Sequence, residues 1–131
     1  MPGNSTLDAA RAARPRVELN AALRGQLEAG REEVEVEVTT VPLLLQRAGL
    51  TRVDLLKVDV EGWEEAVLRG MDAAAWAGVR QLVAEVHDRD GARARVDALL
   101  RGAGGFARVV WERPEWADGP GMDNVMVYAT R

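Results

Sequence analysis

The distribution of apolar and polar residues along the chain predicts an α/β fold. The clearest apolar run is Val53–Val60, whose nearly continuous hydrophobicity is typical of a strand covered on both faces in a parallel sheet. This run ends in Asp59, Glu61 and Gly62. Because ligands bind at the carboxyl ends of the strands in open α/β sheets, the segment also indicates where chemistry would occur.

The residues before this strand predict two short elements. Valine alternates with glutamate over Val34–Val38, which predicts a half-buried strand with one acidic face. Thr39 or Thr40 would then cap a short helix that ends at Gly49. The inner face of that helix is predicted to consist of three apolar residues, Leu44, Leu45 and Ala48.

After the central strand, helices and strands continue to alternate. In chain order we predict a helix from Gly62, a helical turn over Asp72–Ala77, a strand over Gln81–Val86, a helix over Arg93–Arg101, and strands over Phe106–Trp111 and Asn124–Ala129. Trp63, Val67 and Gly70 would share the inner face of the first of these helices. The last two strands are joined directly by a loop, which predicts an antiparallel hairpin at the end of a mostly parallel α/β sandwich.

The composition favours one acidic globular domain. The chain has 131 residues and a net charge of -4, and its basic residues are scattered, which argues against nucleic-acid binding. It contains no cysteine, which excludes disulfides and thiol catalysis. No apolar run is long enough to span a membrane or to form a signal peptide, so we expect a cytoplasmic protein. We predict a single domain over residues 1–131, with residues 1–30 as a weakly patterned lead-in containing helical turns over Asp8–Arg14 and Val17–Arg24.

Two carboxylates and the only histidine lie at the predicted strand ends. Asp59 and Glu61 could bind a metal, orient a hydroxyl group or act as a base, or they could simply cap the next helix. His87 would come close to them if the two strands are neighbours, as a general base near pH 7, a metal ligand or an ordinary loop residue. Lys57 lies on the same strand face as Asp59, and we expect it to pair with Asp59 or with Glu85.

The stretch from Leu55 to Glu64 resembles the central motif of FkbM-type methyltransferases. Its core reads Lys-x-Asp-x-Glu-Gly, with Trp63 where a small residue is usual. Further similar segments are spread along nearly the whole chain: Pro2–Leu7, Val38–Val41, Val67–Gly70, Val83–His87, Gly105-Phe106 and Asp123-Asn124.

The resemblance implies a class I, Rossmann-like fold in which S-adenosylmethionine is the methyl donor. The motif strand would be the fourth of that fold, the Gln81–Val86 strand the fifth, and the hairpin the sixth and seventh. The reaction implied is usually O-methylation of a small molecule or sugar. Asp59 and Gly62 are then expected to contact the donor, and Asp59, Glu61 and His87 are the expected catalytic residues.

No Gly-x-Gly loop precedes the motif, so we expect a truncated domain that begins about where the donor-binding half ends. The motif strand would then have a bare apolar edge, which favours pairing with another strand. We expect the Val34–Val38 strand, a second copy of the chain or a partner chain to cover that edge. A non-catalytic interaction module is therefore the alternative function, and a longer gene product starting upstream of Met1 is a third possibility.

Overall fold

In the part of the chain that the structure describes, a mixed four-stranded sheet with four helices forms the fold. The computed structural model describes residues 34–119 and 121–131. The elements in chain order are α1 (Val41–Ala48), β1 (Leu56–Val58), α2 (Glu64–Arg69), α3 (Ala73–Gly78), β2 (Gln81–His87), α4 (Ala92–Arg101), β3 (Arg108–Glu112), a 3₁₀ turn (Glu115–Ala117) and β4 (Asn124–Thr130). All of them lie within Thr39–Arg131, which forms one compact unit. The predicted α/β class is confirmed, whereas the predicted turns over Asp8–Arg14 and Val17–Arg24 fall outside the described residues.

The strand order in the sheet is β1-β2-β4-β3. β1 runs parallel to β2, and β4 runs antiparallel to both β2 and β3. The closing hairpin is therefore confirmed, with its second strand inserted beside β2. This insertion places Asn124, the first residue of β4, directly opposite His87, the last residue of β2.

The core lies on one face of the sheet, beneath α2 and α4, which pack against each other and against β2. Alternate residues of the two central strands are fully buried there: Leu82, Ala84 and Val86 of β2, and Val125, Val127 and Ala129 of β4. Leu68 of α2 and Val96 and Leu100 of α4 complete this core. Such alternation is the pattern of a sheet with one dry face.

The central strand is shorter and less covered than its sequence predicts. Regular pairing is limited to Leu56–Val58, with a separate parallel bridge between Val53 and Val79. Asp54 and Leu55 lie between the bridge and β1 without strand pairing, and the Asp54 carboxylate accepts hydrogen bonds from Arg52 (2.8 Å) and Arg80 (3.3 Å). The prediction of cover on both faces was wrong here, because Leu55 and Lys57 are exposed while Val58 faces the core.

The predicted strand over Val34–Val38 is not formed. These residues have no regular secondary structure, and all three valines are exposed. An alternating pattern specifies the two faces of a strand, but backbone groups must also find a partner strand. Among the residues that the structure describes, no strand pairs with this segment.

Helix α1 begins and ends as predicted. The Thr40 hydroxyl accepts from the Leu43 N–H at 3.4 Å, and Gly49 ends the helix in the left-handed conformation with φ of 67°. Its inner face differs from the prediction, because Val41 and Leu45 pack on the core while Leu44 and Ala48 are exposed. Residues four apart share a helical stripe, and the stripe that faces inward starts at Val41.

The inner face of α2 also differs from the prediction. The buried residues of α2 are Glu64 and Leu68, whereas Trp63 and Val67 are only partly buried and Gly70 is exposed. The sequence pattern assigned the inner face to apolar residues, and a glutamate is almost never fully buried unless it is paired. The burial of Glu64 therefore depends on a partner residue from β2.

Candidate functional site

The carboxyl ends of β1 and β2 lie side by side, because the two strands are parallel and pair Val58 with Ala84. Beyond β1 the chain turns at Glu61 and Gly62, which have φ values of 53° and 91°. Glycine adopts this left-handed region freely, but for Glu61 it costs on the order of 1 kcal/mol. Backbone strain of this kind clusters at functional sites.

The turn brings Glu61 against the His87 ring. His87 Nε2 lies 3.7 Å from Glu61 Oε2, and His87 Nδ1 lies 3.5 Å from Glu64 Oε1. The His87 side chain is 12% exposed, and that of Glu61 is 43% exposed. The structure therefore brings together two of the three predicted catalytic residues, one shielded from solvent and one accessible.

Glu64 is a member of this cluster that the sequence analysis missed. It is 2% exposed, and its Oε1 accepts a 2.6 Å hydrogen bond from the Gly62 N–H. The carboxylate that binds a backbone N–H before α2 thus belongs to Glu64, and not to Asp59 or Glu61 as the capping interpretation required. The spacing of Glu64 and Leu68, four residues apart, was the available signal.

The electrostatic interaction between Glu64 and His87 favours an ionised Glu64 carboxylate beside the imidazole. Glu64 raises the pKa of His87 above its ordinary value of 6.5, against the opposing effect of burial, and Asp123 and Glu61 add to the rise. Burial alone would raise the pKa of Glu64, but interactions with His87 and with the Gly62 N–H outweigh it and lower that pKa below 4.5. The carboxylates around His87 therefore stabilise its protonated form relative to a histidine in solvent.

Asp59 makes a different contact, an ion pair with Lys57. Its Oδ2 is 2.9 Å from Lys57 Nζ, so the predicted Lys57–Asp59 pair is confirmed. Asp59 raises the pKa of Lys57, and Glu85 adds a smaller attraction. The Asp59 side chain is 36% exposed, so this carboxylate remains accessible at the end of β1.

The start of β4 closes the cluster on its other side. Asn124 Nδ2 lies 3.4 Å from His87 Nε2 and donates to Glu85 Oε1 at 2.5 Å. The Asp88 N–H donates to the Asp123 carbonyl at 2.8 Å, and the Arg89 guanidinium pairs with the Asp123 carboxylate. These contacts fix the end of β2 to the start of β4 and hold Asn124 against the imidazole.

The cluster is anionic and contains one imidazole that can accept a proton. Carboxylates surrounding a histidine can orient a hydroxyl group and favour a cationic group nearby. Within residues 34–119 and 121–131, no group of three His, Asp or Glu side chains is arranged to hold a metal ion. In that same part of the chain, no helix is long and apolar enough to cross a membrane.

Comparison with known proteins identifies the family. The Methyltransferase FkbM domain matches residues 3–106, which is most of the 131-residue chain. The chain belongs to the FkbM methyltransferase family. The resemblance recognised in the Lys57–Gly62 motif is thus confirmed, and no solved structure matches the chain.

Relatives of this FkbM-family chain carry methyltransferase names. It is 45% identical over 86 residues to "31-O-demethyl-FK506 methyltransferase FkbM" of Streptomyces tacrolimicus, covering 66% of this chain and 33% of the relative. It is 46% identical over 69 residues to "Methyltransferase sdnD" of Sordaria araneosa, covering 53% and 26%. It is 40% identical over 134 residues to "Methyltransferase 1" of Beauveria bassiana, covering 100% and 52%. The chain therefore spans about half or less of the length of these relatives.

Proposed function

We propose that this domain transfers the methyl group of S-adenosylmethionine to a hydroxyl group of a small molecule or sugar. The observation that carries the proposal is the position of His87 Nε2, which faces Glu61 at the carboxyl ends of two parallel strands. A base in that position suits a reaction that removes a hydroxyl proton. Membership of a methyltransferase family supports the reaction class.

The residues at the end of β1 fit the donor. S-adenosylmethionine, when bound, supplies an electrophilic methyl group on a cationic sulfonium. The accessible carboxylates of Asp59 and Glu61 would favour that positive charge by direct attraction. Gly62, with φ of 91° and no side chain, lets a ligand approach the backbone closely. Asp59 and Gly62 would therefore hold the donor.

His87 and Glu61 would act on the acceptor. His87 Nε2 would take the hydroxyl proton as the oxygen bonds to the methyl carbon and the methyl–sulfur bond breaks, leaving the donor as a neutral thioether. Glu61 would orient that hydroxyl from the strained turn. The attacking oxygen must lie in line with the bond that breaks, so the rate depends chiefly on positioning. A turn fixed by Glu64 and a ring fixed by β4 supply such rigid positioning.

Isothermal titration of the chain with S-adenosylmethionine tests the proposal. We expect binding tighter than about 100 μM. Asp59→Asn should weaken that binding, because it removes the charge nearest the end of β1. Asp54→Asn is the matched control, since Asp54 is an exposed aspartate of the same segment that pairs with Arg52 and Arg80. No measurable binding would remove the proposed activity from this chain and leave its family unchanged.

A second candidate function is a non-catalytic module that completes its sheet with another chain. It is favoured by the position of β1, which pairs only with β2 among the described strands. Leu55, just before that strand, is 58% exposed. Absence of donor binding together with stable association of the chain would favour this function over methyl transfer.

A further inference from the structure

The contacts of Asn124 determine which way its amide faces. Its Nδ2 lies 2.5 Å from Glu85 Oε1, and an ionised carboxylate can only accept hydrogen bonds. The amino group of Asn124 must therefore face Glu85. The same Nδ2 lies 3.4 Å from His87 Nε2, so this ring nitrogen faces a donor. A neutral imidazole satisfies that donor only when Nε2 carries no proton.

The other ring nitrogen faces an acceptor. His87 Nδ1 is buried and has no hydrogen-bond partner of good geometry, yet Glu64 Oε1 lies 3.5 Å away. That carboxylate is itself 2% exposed and is fixed by the Gly62 N–H. A buried carboxylate beside a ring nitrogen favours a proton on that nitrogen, as in carboxylate–histidine pairs that orient a catalytic base.

We propose that Glu64 and Asn124 together hold the neutral His87 ring in the Nδ1–H tautomer, which leaves Nε2 unprotonated at the edge of the ring that Asn124 and Glu61 approach. Glu64 is then a positioning residue that acts through His87 and through the Gly62 turn. For catalysis the inference rests on the proposed function, because Nε2 is the atom assigned to take the hydroxyl proton. The tautomer itself is a property of the chain without any ligand.

Carboxylates approach both ring nitrogens, and the buried Glu64 beside Nδ1 outweighs the more exposed and more distant Glu61 beside Nε2. Glu64 faces the ring from α2, Glu61 from the turn after β1, and Asp123 from the start of β4, where Arg89 partly neutralises it. The Glu61 carboxylate would stabilise the proton that arrives on Nε2, while the Asn124 amino group disfavours a proton there beforehand. The ring is therefore arranged to receive a proton at Nε2.

Nuclear magnetic resonance of the ¹⁵N-labelled chain tests the tautomer directly. His87 is the only histidine, so long-range ¹H–¹⁵N correlation spectra show a single imidazole pattern. At a pH well above the pKa of His87, we expect a protonated Nδ1 and an unprotonated Nε2. A predominant Nε2–H form in the unmodified chain would overturn the proposal without the need for any variant.

Substitution then tests the role of Glu64. Glu64→Gln should lower the pKa of His87 toward its ordinary value and increase the share of the Nε2–H form. Glu65→Gln is the matched control, because Glu65 is the next residue of α2 and pairs with Arg69 and Arg95 instead. An unchanged tautomer and unchanged pKa of His87 in folded Glu64→Gln would overturn the assignment.

The catalytic consequence is measured separately, as transfer of labelled methyl from S-adenosylmethionine. Glu64→Gln should lower kcat about 10- to 100-fold with a smaller effect on KM, the size of effect seen when a residue that orients a metal-bound histidine is lost. Equal kcat in Glu64→Gln and Glu65→Gln would overturn the positioning role. Absence of transfer by the unmodified chain would count against the proposed function, while the tautomer result would stand by itself.

Discussion

At the residue scale, the contact between Glu64 and His87 explains both why a carboxylate is buried and how the side chains of the site are held in place. A lone ionised glutamate in this position would be costly, but an imidazole 3.5 Å away and the Gly62 N–H at 2.6 Å compensate it. The same carboxylate thereby contacts the strained turn and the ring of His87. Disrupting it is expected to affect both.

This coupling predicts how stability depends on pH. The pKa of His87 is raised in the folded chain, so its contribution is fully present below about pH 6.5 and is lost as pH rises through the folded pKa. The pKa of Glu64 is lowered, so its contribution is present above about pH 4.5 and is lost as pH falls through the folded pKa. We expect the free energy of unfolding, measured with urea, to decline as pH rises from 6 toward 9.

His87→Gln provides the comparison for this pH dependence. Because His87 is the only histidine, the variant should lose most of the decline above about pH 6.5. It should also show a weaker decline at acidic pH, since His87 helps to lower the pKa of Glu64. Parallel pH profiles for the two proteins would show that titration of the pair is not linked to folding.

Part of the site was accessible from the sequence and part was not. The positions of Asp59, Glu61 and His87 at one edge follow from a rule about parallel strands, and a strand can be recognised from its own residues. The role of Glu64 depends on His87, which belongs to another element, and no local pattern contains that contact. The spacing of Glu64 and Leu68 indicated a shared helix face, but the contact with His87 that compensates the burial of Glu64 could be read only from the structure.

At the element scale, local signals predicted the ends of helices better than their inner faces. Thr40 and Gly49 were readable as caps because capping is a contact between near neighbours in the chain. The prediction of a strand over Val34–Val38 was wrong because a strand needs a partner strand, which its own residue pattern does not specify. The prediction of the inner face of α2 was wrong because Glu64, buried against His87, takes one of the positions assigned to apolar residues.

The two side-chain caps differ enough to predict different costs. Asp72 Oδ1 accepts from the Ala75 N–H at 2.8 Å at the start of α3, which buries Ala75 and Trp76. The Thr40 bond is longer, at 3.4 Å, and α1 has no fully buried residue. Asp72→Ala should therefore lower the free energy of unfolding by about 1–2 kcal/mol, and Thr40→Ala by about 0.5 kcal/mol.

Urea unfolding of the two alanine variants at one pH would test this order. Local fraying of α1 should leave the cooperative transition almost unchanged, whereas α3 carries part of the core. A loss in Thr40→Ala equal to or larger than that in Asp72→Ala would mean that α1 is coupled to the core more strongly than its exposure indicates.

At the scale of the whole molecule, the feature that most suggests association is the β1 edge of the sheet, which has no second partner strand among the described residues. β1 pairs only with β2 among the described strands, and Lys57 and Asp59 alternate in charge along its exposed face. A strand with an unpaired edge favours pairing with another strand. We propose that a second copy of this chain pairs with β1. An antiparallel pairing with its two-fold axis at Val58 would set Lys57 opposite Asp59 of the second copy.

Sedimentation velocity over a range of concentrations measures this association. We expect a dimer that grows with concentration, and Lys57→Asp should weaken it, because it places like charges opposite each other across the two strands. Arg108→Asp is the matched charge reversal on β3, the strand at the other edge of the sheet. A monomer at all concentrations would contradict pairing with a second copy and leave a partner chain as the remaining candidate. A weaker dimer in Arg108→Asp alone would place the contact at the β3 edge instead.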